Sequence, residues 1–358
     1  MKYIVCLSHT PWKARSNRTQ QLLSRMPDVE ILYFEPRHSA RSSQHKGRQP
    51  RPNISVHSLP MPYLPASSLP MVRQRHRKKL ATHIRQMMNS HHVREAVIWC
   101  TTPEAAHVAE LLPRRCLLYD CWQEWPDEYV ELESELTFAS DVVFAASPGL
   151  ARRLSPCNDN IALIPNGANP LMLAKPVFSL PAPLRAIPAP RFCRVGDITR
   201  DLELEPLLHT ARAHGEWTFL LLGKVWEGAR QQLRYYPNVI SLEKVPAAEW
   251  PEYLFGCQVL FDLLRTSQRG GDIIPNRLFD YLATGKPIVT MVEPDTVEPF
   301  PDVTYTAVDA SGFARRCQSA LEEDNPQLSR RRKEYAKRAS WALRAQEVAR
   351  ILSDVSFL

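Results

Sequence analysis

Asp272 and Asp280 are separated by seven residues, Asn276 and Arg277 among them, in the run DIIPNRLFDYLATGKPIV over residues 272–289. Two carboxylates and a guanidinium at the mouth of an α/β unit suit a ligand that carries both hydroxyls and phosphate. Asp280 can accept from a ribose diol, Arg277 can oppose the charge of a diphosphate, and Asp272 would lie near the sugar. The elements that must position them are a loop carrying Asp272, a short helix, Gly285 as a left-handed stop, Pro287 blocking continuation, and a strand from Ile288. The spacing alone equally fits an ordinary helix–Gly–Pro–strand junction with solvated charges.

The chain of 358 residues is long enough for two α/β domains, and 44% hydrophobic and 9% aromatic content belong to a globular protein. No apolar run approaches the roughly 20 residues of a membrane span, and MKYIVCLSH is too short and β-like for a signal peptide, so a cytoplasmic location is expected. The eight cysteines include no CxxC pair and read as core thiols. Charge is uneven. Residues 1–94 hold 17 Lys and Arg against three acids, whereas residues 95–150 hold Arg114 and Arg115 against eleven. A field of that kind attracts anionic partners: phospholipid headgroups, nucleic acid or a phosphate-bearing substrate.

Short apolar strands alternate with helices along the chain, among them KYIVCL, EILYF, AVIWC, CLLYDC and DVVFAA, which implies parallel sheets covered on both faces. Residues 174–190 contain five prolines without helical or strand period and read as a stiff linker. After it the alternation restarts with Arg191–Val195 and WTFLLL, and a helical segment runs from about Asn325 to Leu352. The expected organisation is therefore an N-terminal domain over 1–173, a linker over 174–190, a second domain over 191–335 and a closing helix over 336–358 that packs back on the first domain.

The 272–289 run resembles the nucleotide-sugar motif of GT-B glycosyltransferases, whose usual form is Glu-x7-Glu followed by a helix of the EYLAxGKPVV type. Here both glutamates are aspartates, one methylene shorter. Four further stretches resemble bacterial cell-surface polysaccharide transferases of the teichuronic-acid and xanthan type. PWKARSNRTQQLL is similar to a segment that places Arg18, Gln20 and Gln21 beside the interdomain cleft. LLYDCWQEWPDEY, SDVVFAASPGLARRL and IALIPNGAN form the longest match, over roughly residues 117–169. FCRVGDITRDLELEPLL has the strand–Gly–loop–helix form, with Gly196, that turns backbone N–H groups towards phosphate. The Arg/Lys pair of the larger retaining family is missing there, and Asp197, Asp201 and Glu203 stand near its place. Phosphate charge is then left to Arg277, with Arg200 as a second candidate. WTFLLLGKVWEGA resembles a strand whose following loop, with Lys224, lies beneath the donor.

The resemblance implies an α/β protein of two Rossmann-like domains facing a cleft. It would transfer sugar from a nucleotide-sugar to a hydroxyl of a glycan or lipid-linked acceptor. Related enzymes carry a catalytic aspartate where this chain has Gln123, so the base would pass to Glu124 or Asp127. No Asp-x-Asp triplet occurs, no metal or other cofactor is expected, and the histidines form no ligand-spaced set. Arg73, Arg75, Arg77, Lys78 and Lys79 follow the apolar MPYLPASSLPM, in which Tyr63, Leu64 and Leu69 could insert into an anionic membrane surface. A solvated helix face is the plain alternative, and no nucleic-acid module is present. Two other functions use the same fold: a nucleotide-sugar-binding protein without turnover, and a nucleotide-sugar epimerase.

Overall fold

The computed structural model describes residues 2–12, 17–26, 28–37, 48–64, 68–174, 179–200, 202–264, 272–291, 300 and 302–354. Asp201, residues 13–16 of the first matched segment, 38–47, 65–67 and part of the proline-rich stretch lie outside them. The chain divides into two compact units, Met1–Pro165 with Arg344–Leu358, and Asn166–Leu343.

The first unit is built on eight strands: β1 (Lys2–Leu7), β2 (Val29–Glu35), β3 (Arg48–Arg51), β4 (Ile54–Ser58), β5 (Ala96–Cys100), β6 (Arg114–Cys121), β7 (Val142–Ala145) and β8 (Ile161–Leu163). Their order across the sheet is β3-β4-β2-β1-β5-β6-β7-β8. All neighbours are parallel except β3, which returns antiparallel on β4. Burial on both faces explains why β5 is apolar throughout instead of alternating. The helix Pro70–Ser90 turns Leu80, Ala81, Ile84 and Met88 inward at helical spacing and leaves its basic residues on other faces.

The second unit holds β9 (Arg191–Val195), β10 (Thr218–Leu222), β11 (Val239–Ser241), β12 (Val259–Asp262), β13 (Ile288–Thr290) and β14 (Tyr305–Thr306), in the order β11-β10-β9-β12-β13-β14 and parallel throughout. Counting from β9 this is 3-2-1-4-5-6, the doubly wound order in which the chain reverses direction between the first and fourth strands. Strand alternation feeds a core on each face: Phe219 and Leu221 of β10 enter one, Leu220 and Leu222 the other. The two reversal points, between β1 and β5 and between β9 and β12, are where such sheets receive ligands at their carboxyl ends.

Two differences from the sequence reading concern the connections. The chain enters the second unit at Asn166, eight residues before the expected linker. Residues 182–185 of that linker form a helix whose Leu184 lies in the second unit's core, with Leu180 packed against it. The C-terminal segment is two helices, Pro326–Arg338 and Trp341–Asp354, not one. The break exists because the backbone there is used elsewhere. Ala168 donates to Ala339 O (2.8 Å) and accepts from Trp341 N (3.3 Å). Gly167 is required at this crossing: a Cβ would lie 2.7 Å from Ala339 O.

Candidate functional site

Gly196 ends β9 in the left-handed region (φ 106°), and Gly223 ends β10 at φ 140°. The two loops lie backbone against backbone, since a Cβ on Gly223 would sit 2.7 Å from both C and O of Gly196. Asp197 accepts from Lys224 N (2.9 Å), and Ile198 and Val225 form a parallel bridge. Lys224 thus serves this site through its backbone, with its side chain exposed.

Beside these loops, at the end of β12, stands a carboxylate that the sequence reading did not select. Asp262 is fully buried and accepts from Arg277 through Nε and from Arg277 Nη2 (3.0 Å). A second guanidinium, Arg194, approaches it at 3.7 Å and donates to the carbonyls of Gly196 (2.8 Å) and Asp197 (3.3 Å). Burial alone would raise the Asp262 carboxyl, but Arg277 and then Arg194 draw it below its usual range. Arg277 is pushed the other way: burial disfavours its charge and Asp262 more than restores it. Two guanidiniums on one carboxylate leave a formal charge of one positive, and Arg277, 20% exposed, is the member that meets solvent. Its Nη1 lies 3.9 Å from where a Gly196 side chain would begin, so the glycine keeps that cation uncovered. A glycine loop and a fixed cation at the sheet's reversal point make an arrangement suited to an anion.

Arg277 is the second residue of the helix Asn276–Thr284, which Gly285 ends with φ 74°. Asn276 Oδ1 is buried without a hydrogen-bond partner among the described residues. Asp272 lies half-buried in the loop before the helix. Asp280 accepts from Asn169 N (2.8 Å) and so ties the helix to the Asn166–Asn169 tract. Arg200 departs from the sequence reading. Its guanidinium lies over the Trp226 ring, 5.5 Å from the centroid, and none of its described contacts reaches the Asp262 cluster.

In the first unit the reversal point holds His9, just beyond β1. Its ring stacks on Trp122 (5.3 Å, 23°), meets Trp125 edge-on (5.2 Å) and places Nδ1 3.5 Å from Thr101 Oγ1. Burial holds this imidazole down at about 4, partly offset by a hydrogen bond at Thr101, so it is neutral at pH 7. Arg18 donates from Nε to Asp120 Oδ1 (3.0 Å), with both residues buried and Asp120 at the end of β6. Gln20 is spent on a capping box with Asn17 and presents no side chain to a ligand.

The base candidates fare differently. Glu124 is tied to Arg153 Nε (3.1 Å), whose other nitrogens hold Glu133 (2.6 and 3.0 Å). Glu133 in turn accepts from Tyr119 Oη, which accepts from Trp125 Nε1. This is a polar girder, and Glu124 joins it through one carboxylate oxygen. Asp127 opens an exposed 3-10 turn, and Gln123 lies half-buried two residues after β6. Among the described residues no group of three or more His, Cys, Asp or Glu could hold a metal ion, and no helix is long and apolar enough to cross a membrane. In the basic helix Arg75, Lys78 and Lys79 are exposed, whereas Arg73 and Arg77 are half-buried and Arg77 lies 4.0 Å from Glu110. Leu69 and Met71 are each 72% exposed, but Tyr63 is turned in, with its hydroxyl buried.

Comparison with known proteins bears on the fold. Residues 200–350 match the family model described as "Glycosyl transferase-like", a span that includes Asp262 and Arg277. TuaH of Bacillus subtilis (strain 168), a glycosyltransferase named for teichuronic acid biosynthesis, is 25% identical over 154 residues. That match covers 41% of this chain and 39% of TuaH. Sucrose-phosphate synthase of Thermosynechococcus elongatus superposes with a TM-score of 0.76 at 14% identity, over 99% of both chains. HepE of Anabaena, solved with UDP and glucose, gives 0.73 at 15% identity over 99% of this chain and 100% of its own. An α,α-trehalose-phosphate synthase (UDP-forming) of Burkholderia vietnamiensis gives 0.76 at 12%, over 99% and 97%. The chain has the GT-B fold, two Rossmann-like α/β units.

Proposed function

We propose that this chain is a glycosyltransferase that takes a sugar from a nucleoside-diphosphate sugar and passes it to a hydroxyl of a glycan or lipid-linked acceptor. The observation that carries the reading is Arg277, fixed on buried Asp262 beside Gly196 at the reversal point of the second sheet. As the acceptor oxygen bonds to the sugar's anomeric carbon, the bond to the diphosphate breaks and its electron pair leaves with the phosphate. A positive charge already aimed at that oxygen stabilises the change without reorganising. Asp280 would meet the ribose, with Asp272 and Asn276 towards the sugar, and His9 would take the acceptor's proton. Fold and family match support a donor of this class, and the solved relatives include chains with UDP bound.

The test is Arg277→Met, which keeps the packing stem and removes the charge. Affinity for nucleoside diphosphate measured by calorimetry should fall by roughly tenfold to a hundredfold, the about 1.5–3 kcal/mol of a charged hydrogen bond. Undiminished affinity would sink the assignment. The engagement of Glu124 by Arg153 favours a second reading, binding without turnover. Both readings predict diphosphate binding, but only the first predicts slow hydrolysis of a nucleotide-sugar to free sugar, so following that release separates them.

The exposed Leu69, Met71 and Val72 beside Arg75, Lys78 and Lys79 support contact with an anionic bilayer, the surface at which a lipid-linked acceptor resides. Each basic residue near the headgroups contributes about 1 kcal/mol. Reversing Arg75 and Lys78 to Glu should therefore weaken binding to phosphatidylglycerol vesicles by at least about 30-fold, with turnover on a soluble acceptor retained. Equal sedimentation of both forms with vesicles would dismiss the membrane role.

A further inference from the structure

Two cavities of the second unit, about 510 and 680 Å³, contain none of the residues of the Asp262 cluster. They share Leu208, Arg212, Trp226, Gln232 and Tyr236, and so form one groove beside the helices Glu205–Ala213 and Glu227–Leu233. Each volume falls in the range of small-molecule sites, about 300–1,000 Å³.

Three aromatic rings give this groove its character. Trp226 carries the guanidinium of Arg200 over its face, and Tyr236 carries that of Arg212 at 5.8 Å. Arg212 Nη2 also donates to Tyr236 Oη (2.8 Å). Tyr235 is 84% exposed, far more than a ring of its size needs for packing. A guanidinium lying over a ring covers part of that face and presents its own N–H donors there. The amides of Gln231 and Gln232 add further donors and acceptors on the same wall. The Trp226 platform is fixed in advance, because a Cβ on Gly228 would fall 2.0 Å from its indole. Only glycine at that place lets the ring lie across the first turn of its helix.

Charge decides what fits. Glu203 and Glu205 line the same groove and balance Arg200 and Arg212, so the site has no net cation to offer a phosphate. The open Tyr235 ring, beside amides and ring-bound guanidiniums without net charge, matches an uncharged pyranose chain. Such a chain presents C–H groups on its ring faces and hydroxyls around its rim. We infer that the Trp226–Tyr235–Tyr236 groove is a carbohydrate-binding site separate from the donor site, which holds an uncharged hexopyranose chain against the outside of the second unit. The inference concerns binding and stands whether or not the chain transfers sugar.

The experiment is calorimetric titration of the full chain with maltohexaose, cellohexaose and chitohexaose, with trigalacturonate and UDP in parallel. At least one neutral hexasaccharide should bind saturably and at least tenfold more weakly to Tyr235→Ala, whose exposed ring is dispensable for folding, with UDP affinity unchanged. Gly228→Val, which displaces the indole, should weaken the same hexasaccharide by a similar factor. No binding of any neutral hexasaccharide, binding of trigalacturonate alone, or equal affinity in Tyr235→Ala and Gln231→Ala would overturn the proposal. Failure to bind UDP would count against the donor site and leave this groove standing.

Discussion

Asp262→Ala should destabilise the second unit by about 3–5 kcal/mol and abolish diphosphate binding, read as an early urea transition together with a flat calorimetric trace. Removing the carboxylate leaves Arg194 almost wholly buried and Arg277 mostly so, each without its counter-charge. Breaking a buried pair costs more than the pair itself contributes, because the surviving charge has neither water nor partner. Here two charges survive, and one of them, Arg194, also holds the carbonyls of Gly196 and Asp197 in place. The glycine loop should therefore lose its shape along with its cation. Asp262→Asn keeps the volume and two acceptor positions, so it should cost less stability yet still lose most affinity. A variant as stable as the native chain would mean that Asp262 is not the anchor of the site.

His9→Ala should lower transfer to an acceptor by about 10²–10⁴-fold, the range of a positioned proton acceptor. Affinity for nucleoside diphosphate should stay unchanged, since His9 is not among the residues that hold Asp262 and Arg277. Glu124→Gln should have little effect on the same rate, because its carboxylate is already engaged by Arg153. The opposite ranking of these two variants would return the role to Glu124. Acid supplies a second readout. An imidazole held at about 4 in the folded chain takes its proton less readily than the unfolded one, near 6.5. Between those values the unfolded state binds more protons, so stability is full above about pH 6.5 and declines as pH falls towards 4. Buried His57, which faces His91 and His83, is held at about 4 too. Acid unfolding of His57→Gln and of His9→Ala should then each show a smaller pH dependence between about 6.5 and 4 than the native chain.

Much of the architecture was legible because parallel strands buried on both faces spell themselves as apolar runs. Residues 191–195, 218–222 and 259–262 are close to where their hydrophobicity places them. What periodicity could not show is where a backbone is claimed by a distant partner. Residues 325–352 read as one helix, yet Ser340 pairs with Ala168, far away in sequence. The proline-rich stretch reads as a linker because proline suppresses helical period, although Leu184 seats a short helix in the core. In the site, Arg277 was readable from its motif, whereas Asp262 and Arg194 were passed over as parts of strands. A signal was present: each is a charged side chain inside an otherwise apolar run, VLFD and RFCRV, and both runs end at a sheet's carboxyl edge. His9, one residue past CLS, follows the same pattern. Glu124 and Gln20 show what a matched segment leaves unsaid, since a polar residue in it can also hold a guanidinium or a helix cap.

The interrupted make-up of the first unit bears on how the protein comes off the ribosome. Its sheet is translated by Pro165, but the segment carrying the buried Ala345, Val348 and Leu352 follows only after all of the second unit. At about 5–20 residues per second that interval is roughly 10–35 s, during which the earlier half has an apolar strip open to solvent. The later half, one unbroken stretch, can condense at once. A nascent chain of this kind should present its older portion, not its newer one, to holdase chaperones.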